Sequence, residues 1–267
     1  MRWAWLLSLL LGCSCAMAEP VVVEIDPAKT GPGIKQATGT HLAIHDSEAE
    51  PNGLTLISIG GTNSNPKELL AFDKLAASLG YRVLALDYPN SVISTDCKTD
   101  KDFLTFRQEI VEGRPGCDLV QVDEANSIES RLKRALDYLG WDEDWSRIVV
   151  VGHSQGAGHA AYLGKLHPLQ AVIMLAGPQD STATGPAEWL KKPGATAPSR
   201  FWGFLHKRDP FSCDKQMEAI RALRISSGPS MLLTERPVND PHTSLLLPIF
   251  KEQWEALLTR GEALERQ

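Results

Sequence analysis

Residues 147–158 read RIVVVGHSQGAG, and the five residues Gly152-His153-Ser154-Gln155-Gly156 fit the pattern G-x-S-x-G. In that pattern a serine sits on a sharp strand-to-helix turn, where its hydroxyl can meet a substrate carbonyl. A free hydroxyl is a weak nucleophile. It needs a base to take its proton and a third group to orient that base. The pattern is short enough to arise by chance, so its weight comes from what surrounds it. An apolar run, Ile148 to Val151, precedes it, and the small residues Ala157 and Gly158 let a following helix pack close. That context makes Ser154 the candidate nucleophile. Gly152 and Gly156 then stand where a side chain would collide with strand or helix.

The elements that must position Ser154 follow from the apolar pattern. Short runs at 21–25 and 41–45 read as a leading antiparallel pair. Strand patterns follow at 54–59, 81–89, 146–151, 171–177, 200–206 and 230–235. Helical spacing appears at 67–80, 127–140, after the elbow through His167, at 214–223 and from Pro248 onward. Unbroken apolar strands alternating with helices predict an α/β fold, its mostly parallel central sheet covered by helices on both faces. One domain over 19–267 suits the length.

In such a fold the chain order is Ser, then acid, then His, with the His beyond the last strand. The chain has seven histidines. Only His242, in NDPHTS, lies beyond the final strand. His41 and His45 precede the core sheet, His153 belongs to the elbow, and His159 and His167 ride the elbow helix pointing away. His206, ending a strand, is the second choice. Asp209 in LHKRDPF lies in the loop after the strand before last, the usual place for the acid. Asp180 in AGPQDS is the runner-up, one strand earlier, and Asp214 and Asp240 read as surface or capping carboxylates. For the oxyanion, one donor is the N–H of Gln155. The other comes from the turn SIGGTNSNP, through Thr62 or Gly61.

Taken together, Gly60-Gly61-Thr62, Gly152 to Gly156 and the pair Asp209 and His242 resemble the α/β-hydrolase superfamily over nearly the whole chain. The turn departs from HGGG and HG-x-G, which leaves Gly61 and Thr62 both open as donor. The wording GHSQGAGHAAYLGKLHP followed by GFLHKRD is also similar to exported bacterial hydrolase-like proteins of esterase or lipase type. The resemblance implies hydrolysis of carboxylic esters through an acyl-enzyme, with no cofactor and no metal. Serine peptidase or amidase activity uses the same residues, and an inactive hydrolase-like binding protein is the reading from another class. The histidines at 153 and 159 are not on one helical face, and no H-E-x-x-H is present.

The first eighteen residues read as a secretory signal peptide: Arg2, an apolar run from Trp3 to Leu11, and Ala16-Met17-Ala18 before Glu19. The run is far below the roughly 20 residues that span a bilayer. Leu10-Leu11-Gly12-Cys13 resembles a lipobox, which gives a second reading with Cys13 as a lipid anchor. The protein is expected to be secreted or periplasmic, or else a membrane-anchored lipoprotein. A net charge of −6 argues against nucleic acid and anionic membranes as partners. A small-molecule or surface-presented acyl ester is the expected partner, and a monomer the expected state. Of the cysteines past the leader, Cys97 and Cys117 bracket a polar stretch and suggest a disulfide worth about 3 kcal/mol; Cys213 is left over. Residues 90–126 then read as a stapled loop. The segment after 177 is too short for a large cap domain, although Trp189 in it has the size to cover a pocket.

Overall fold

The computed structural model describes residues 19–224 and 230–265. The leader at 1–18, with Cys13, lies outside the described residues. Eight strands form the sheet: β1 (Val21–Ile25), β2 (His41–His45), β3 (Thr55–Ile59), β4 (Arg82–Leu86), β5 (Ile148–His153), β6 (Ala171–Leu175), β7 (Phe201–His206) and β8 (Met231–Thr234). Their spatial order is β1-β2-β4-β3-β5-β6-β7-β8. β1–β2 and β2–β4 are antiparallel and every later pairing is parallel. The chain thus starts at one edge and winds outward from β3 in both directions, which puts the ends of β3 and β5 side by side.

Six helices of nine or more residues accompany the sheet among the described residues: α1 (Leu70–Ser78), α2 (Asp100–Glu112), α3 (Ile128–Leu139), α4 (Gln155–Leu166), α5 (Cys213–Ala222) and α6 (Lys251–Glu265). Alternate residues of each strand point to opposite faces, so two cores form. On one, Phe72 of α1 and Trp254 of α6 pack on Leu56, Val149 and Ile173. On the other, Phe106, Leu132, Ala160 and Ile220 of α2 to α5 pack on Ile57, Val150 and Met174. Both faces of the central strands are dry, which is why those strands read as continuous apolar runs. No large cap domain stands over the sheet among the described residues.

Two expectations are overturned in the segment 90–126. It is not a loop stapled by a disulfide, because Cys97, Cys117 and Cys213 are all free, buried thiols. Burial pushes the Cys97 thiol up to about 12. Other forces hold the segment. Helix α2 begins with a capping box between Thr99 and Asp102 and stops at Gly113, whose φ is 73°. Its Phe103, Phe106 and Ile110 are buried in the core. Glu109 gathers the returning strand of chain by accepting from the amides of Gly116 (3.0 Å), Cys117 (2.9 Å) and Val122 (3.3 Å). A carboxylate does there what the sulfur bridge was expected to do.

Trp189 also turns out differently. It is 3 % exposed, meets Tyr162 edge-on at 5.5 Å and donates its indole N–H to Asp180 at 3.0 Å. It anchors its loop from inside the core.

Candidate active site

Ser154 follows β5 at φ 56° and ψ −120°, a conformation that costs a non-glycine residue on the order of 1–3 kcal/mol. The neighbours enforce it. Its amide donates to Leu175 O at 2.8 Å, tying the turn to the end of β6. A Cβ on Gly152 would lie 2.1 Å from Gly156 O, and one on Gly156 would lie 2.3 Å from Ile59 O. Both distances are impossible for carbon against oxygen. The two glycines of the motif are therefore demanded by the approach of the α4 backbone to the strands on either side.

His242 arrives from the loop after β8. Its Nδ1 lies 2.7 Å from Asp209 Oδ2 and its Nε2 lies 2.8 Å from Ser154 Oγ. Asp209 can only accept, so Nδ1 carries the proton and Nε2 presents a lone pair to the serine hydroxyl. Burial would raise the Asp209 carboxyl, but hydrogen bonds from His242 and Gln216 outweigh it and hold the group below its ordinary value. Asp209 stays ionised. Its other oxygen accepts the Phe211 amide at 2.8 Å.

Several neighbours escape sequence reasoning. Gln216, fully buried on α5, donates through Nε2 to Asp209 Oδ2 at 3.0 Å and to Ala176 O at 3.3 Å. The ring of Phe211 lies 4.6 Å from that of His242. His153 is buried behind the elbow, and its Nε2 lies 3.1 Å from the backbone carbonyl of His242. A carbonyl only accepts, so this nitrogen carries the hydrogen and donates. Burial, with the nearby His242 next, pushes His153 down to about 4. It is a neutral strut between the elbow and the loop that carries His242.

The turn after β3 is held just as firmly. Tyr88 donates to Gly60 O at 2.7 Å and Asn90 Nδ2 to Gly61 O at 2.9 Å. The side chain of Gln155 accepts from Thr62 Oγ1 and from Ser94 N, both at 2.9 Å, and so joins the two loops over the elbow. The amide of Gln155 opens α4, where an N–H has no intrahelical acceptor. A cleft of about 300 Å³ lies over these groups, lined by Gly61, Thr62, Ile93, Ser154, Phe211 and His242 among others. That is the lower end of the range for small-molecule sites.

Asp180, the other candidate acid, is engaged elsewhere. Its two oxygens accept from Arg107 Nη2 at 2.6 Å and Nε at 3.0 Å. Arg107, equally buried, also donates to Gln155 O at 3.0 Å and approaches His159 Nδ1 at 3.2 Å. His159 therefore points away from Ser154 as expected, yet it is wholly buried, and burial followed by the Arg107 charge holds it well below its ordinary value. His206 is likewise no base. Its Nδ1 accepts the Arg208 amide and its Nε2 donates to Arg236 O, bracing the ends of β7 and β8. Asp240 caps the turn at His242 through the His242 amide (2.9 Å).

A strained serine between a parallel strand and a helix, at the carboxyl rim of such a sheet, defines the α/β-hydrolase class. Residues 59–217, more than half of the chain, match the family model described as the alpha/beta hydrolase fold, and the chain belongs to that family. A search of curated proteins finds no significant match. Among solved structures the chain is similar to a phosphonate-inhibited esterase B from Lactobacillus rhamnosis, with TM-score 0.54, 11% identity, and 93% of this chain and 89% of that one covered. It is also similar to an S-formylglutathione hydrolase from Agrobacterium tumefaciens (TM-score 0.53, 17% identity, 90% and 95% covered). A third is a lidless α/β serine hydrolase from Xanthomonas campestris (TM-score 0.50, 13% identity, 91% and 94% covered). At these identities the likeness is one of fold.

Proposed function

We propose that the protein is a serine hydrolase of carboxylic esters working through an acyl-enzyme. One observation carries this reading: the continuous line from Asp209 Oδ2 through both nitrogens of His242 to Ser154 Oγ, with steps of 2.7 and 2.8 Å, at the floor of a cleft. Ser154 Oγ attacks the ester carbonyl while its proton passes to His242 Nε2. The Asp209 carboxylate stabilises the imidazolium at Nδ1. The carbonyl oxygen, now negative, is met by the Gln155 amide and by an amide of the Gly61–Thr62 turn. His242 then gives its proton to the departing alcohol, and a water activated by the same imidazole releases the acid and restores Ser154.

Amides would be cut by the same groups, but the esterases among the structural neighbours favour the ester reading. The substrate class is a small or surface-presented acyl ester. Residues 1–18 read as an export leader, which would place the enzyme in the periplasm or outside the cell, or hold it on a membrane through Cys13. A fluorophosphonate probe with a graded series of p-nitrophenyl esters tests the chemistry. Wild type should be labelled and hydrolyse them, and Ser154→Ala should do neither. Absence of both in wild type would favour an inactive scaffold.

A further inference from the structure

The cleft over Ser154 has a neighbour. A second cleft, of about 500 Å³, shares Ser94, Thr95, Gln179 and Phe211 with it and lies between the start of α2, the loop at 181–183 and the turn at 210–215. The shared walls set the two clefts side by side. The second cleft's lining includes Thr95, Ser181, Thr182 and Ser212, and its charged residues are Lys98 and Lys215. No carboxylate lines it, in a chain with 33 acidic and 27 basic residues.

Both lysines line this second cleft and are exposed. Lys98 Nζ donates to Thr95 O at 2.8 Å, which fixes its head at the wall common to both clefts. Lys215 stands in the first turn of α5. Among the described residues neither has a carboxylate within ion-pair distance. The acids close by in sequence are outside the lining. Asp102 accepts the amides of Lys98 (3.0 Å) and Thr99 (2.9 Å), Asp100 accepts the Glu188 amide (2.9 Å), and Asp96 and Asp214 are exposed. An ammonium is a compact point charge with three donors, suited to an anionic group of no fixed geometry. Phe103 and Phe211 supply apolar walls for the stem that leads to it.

We infer that this second cleft takes the part of the ester remote from the reacting carbonyl, and that this part carries a negative charge, met by Lys98 and Lys215. The inference rests on Ser154 being the nucleophile, since that fixes which end of the substrate lies in the first cleft.

Two matched pairs of esters test it. The mono-p-nitrophenyl ester of octanedioic acid against its methyl ester varies charge on the acyl side. 4-Butanoyloxybenzoate against its methyl ester varies it on the alcohol side. In at least one pair the charged member should show the higher kcat/KM in wild type. Lys98→Glu/Lys215→Glu should lower that charged-to-neutral ratio about tenfold, as two moderately screened ion pairs would. The Lys98→Arg/Lys215→Arg variant should restore it, and added salt should shrink it. A wild-type ratio at or below one in both pairs, or a ratio unmoved by the double charge reversal, overturns the inference. The same comparison by calorimetry on Ser154→Ala needs no turnover. If wild type hydrolysed nothing and went unlabelled, the hydrolase reading would fail while the binding ratio still decided the subsite.

Discussion

Asp180 and Asp209 leave the sheet in parallel circumstances and end in opposite ones. Each follows a parallel strand, β6 or β7, by a few residues, each is buried, and each has a histidine in its neighbourhood. Asp180 meets a permanent cation, Arg107, and both of its oxygens are taken. The histidine on the far side of that cation, His159, is kept neutral by burial and by the guanidinium. Asp209 meets only groups that are neutral at rest: an amide N–H, the Gln216 side chain and an imidazole. In the proposed reaction its charge is therefore available to a proton arriving on His242. A buried carboxylate next to a histidine is thus a structural clamp or an acid–base relay according to whether a fixed positive charge intervenes.

The sharpest way to break this contrast is to remove its endpoint. Ser154→Ala should lower kcat on a p-nitrophenyl ester by about 10⁶, the scale typical of triad serines; retention of most activity would remove the site altogether. Asp209→Asn should cost on the order of 10⁴ in kcat by favouring the wrong imidazole tautomer. Asp180→Asn should instead leave Arg107 uncompensated and lower unfolding free energy by about 3–5 kcal/mol in a urea titration, with a far smaller effect on kcat. The reverse ranking in kcat would exchange the roles of the two carboxylates.

Acid should expose the neutral histidines. His41 and His153 are held down to about 4, in both cases chiefly by burial. Between the unfolded value near 6.5 and that folded value the unfolded chain binds more protons. Stability is therefore fully present above about pH 6.5 and lost as pH falls toward 4, by on the order of 3 kcal/mol for each group. The depressed Asp209 acts in the same direction, but only below the ordinary carboxylate range. Melting temperatures across pH 4–7 measure this, and a flat profile would contradict it. The smallest effect belongs to Gln216→Leu, which removes one donor from Asp209. It should lower kcat roughly tenfold, the worth of one hydrogen bond to a charged group.

How legible these features are in the sequence depends on how local their causes are. The elbow is legible because Gly152 answers to backbone four residues on, at Gly156, although Gly156 itself answers to the distant Ile59. His242 is legible by elimination, since one histidine lies past the last strand. Helix α2 was within reach too: Thr99 and Asp102 in capping-box spacing, Phe103, Phe106 and Ile110 on one face, and Gly113 as a stop. Reading the flanking cysteines as a bridge hid it, because sequence spacing says nothing of whether two sulfurs face each other. Arg107, Gln216, Tyr88 and Asn90 leave no local trace. Their partners mostly sit tens of residues away, and an arginine inside a helix reads as surface until the fold puts Asp180 against it.

The hydrogen bond from His153 to the carbonyl of His242 links the residue before Ser154 to the backbone of His242. Swinging the β8 loop outward would strip that buried imidazole of its acceptor, so the loop is unsuited to serve as a door. The lining of the cleft that does reach solvent includes Ile93 and Phe211, 36 % and 42 % exposed.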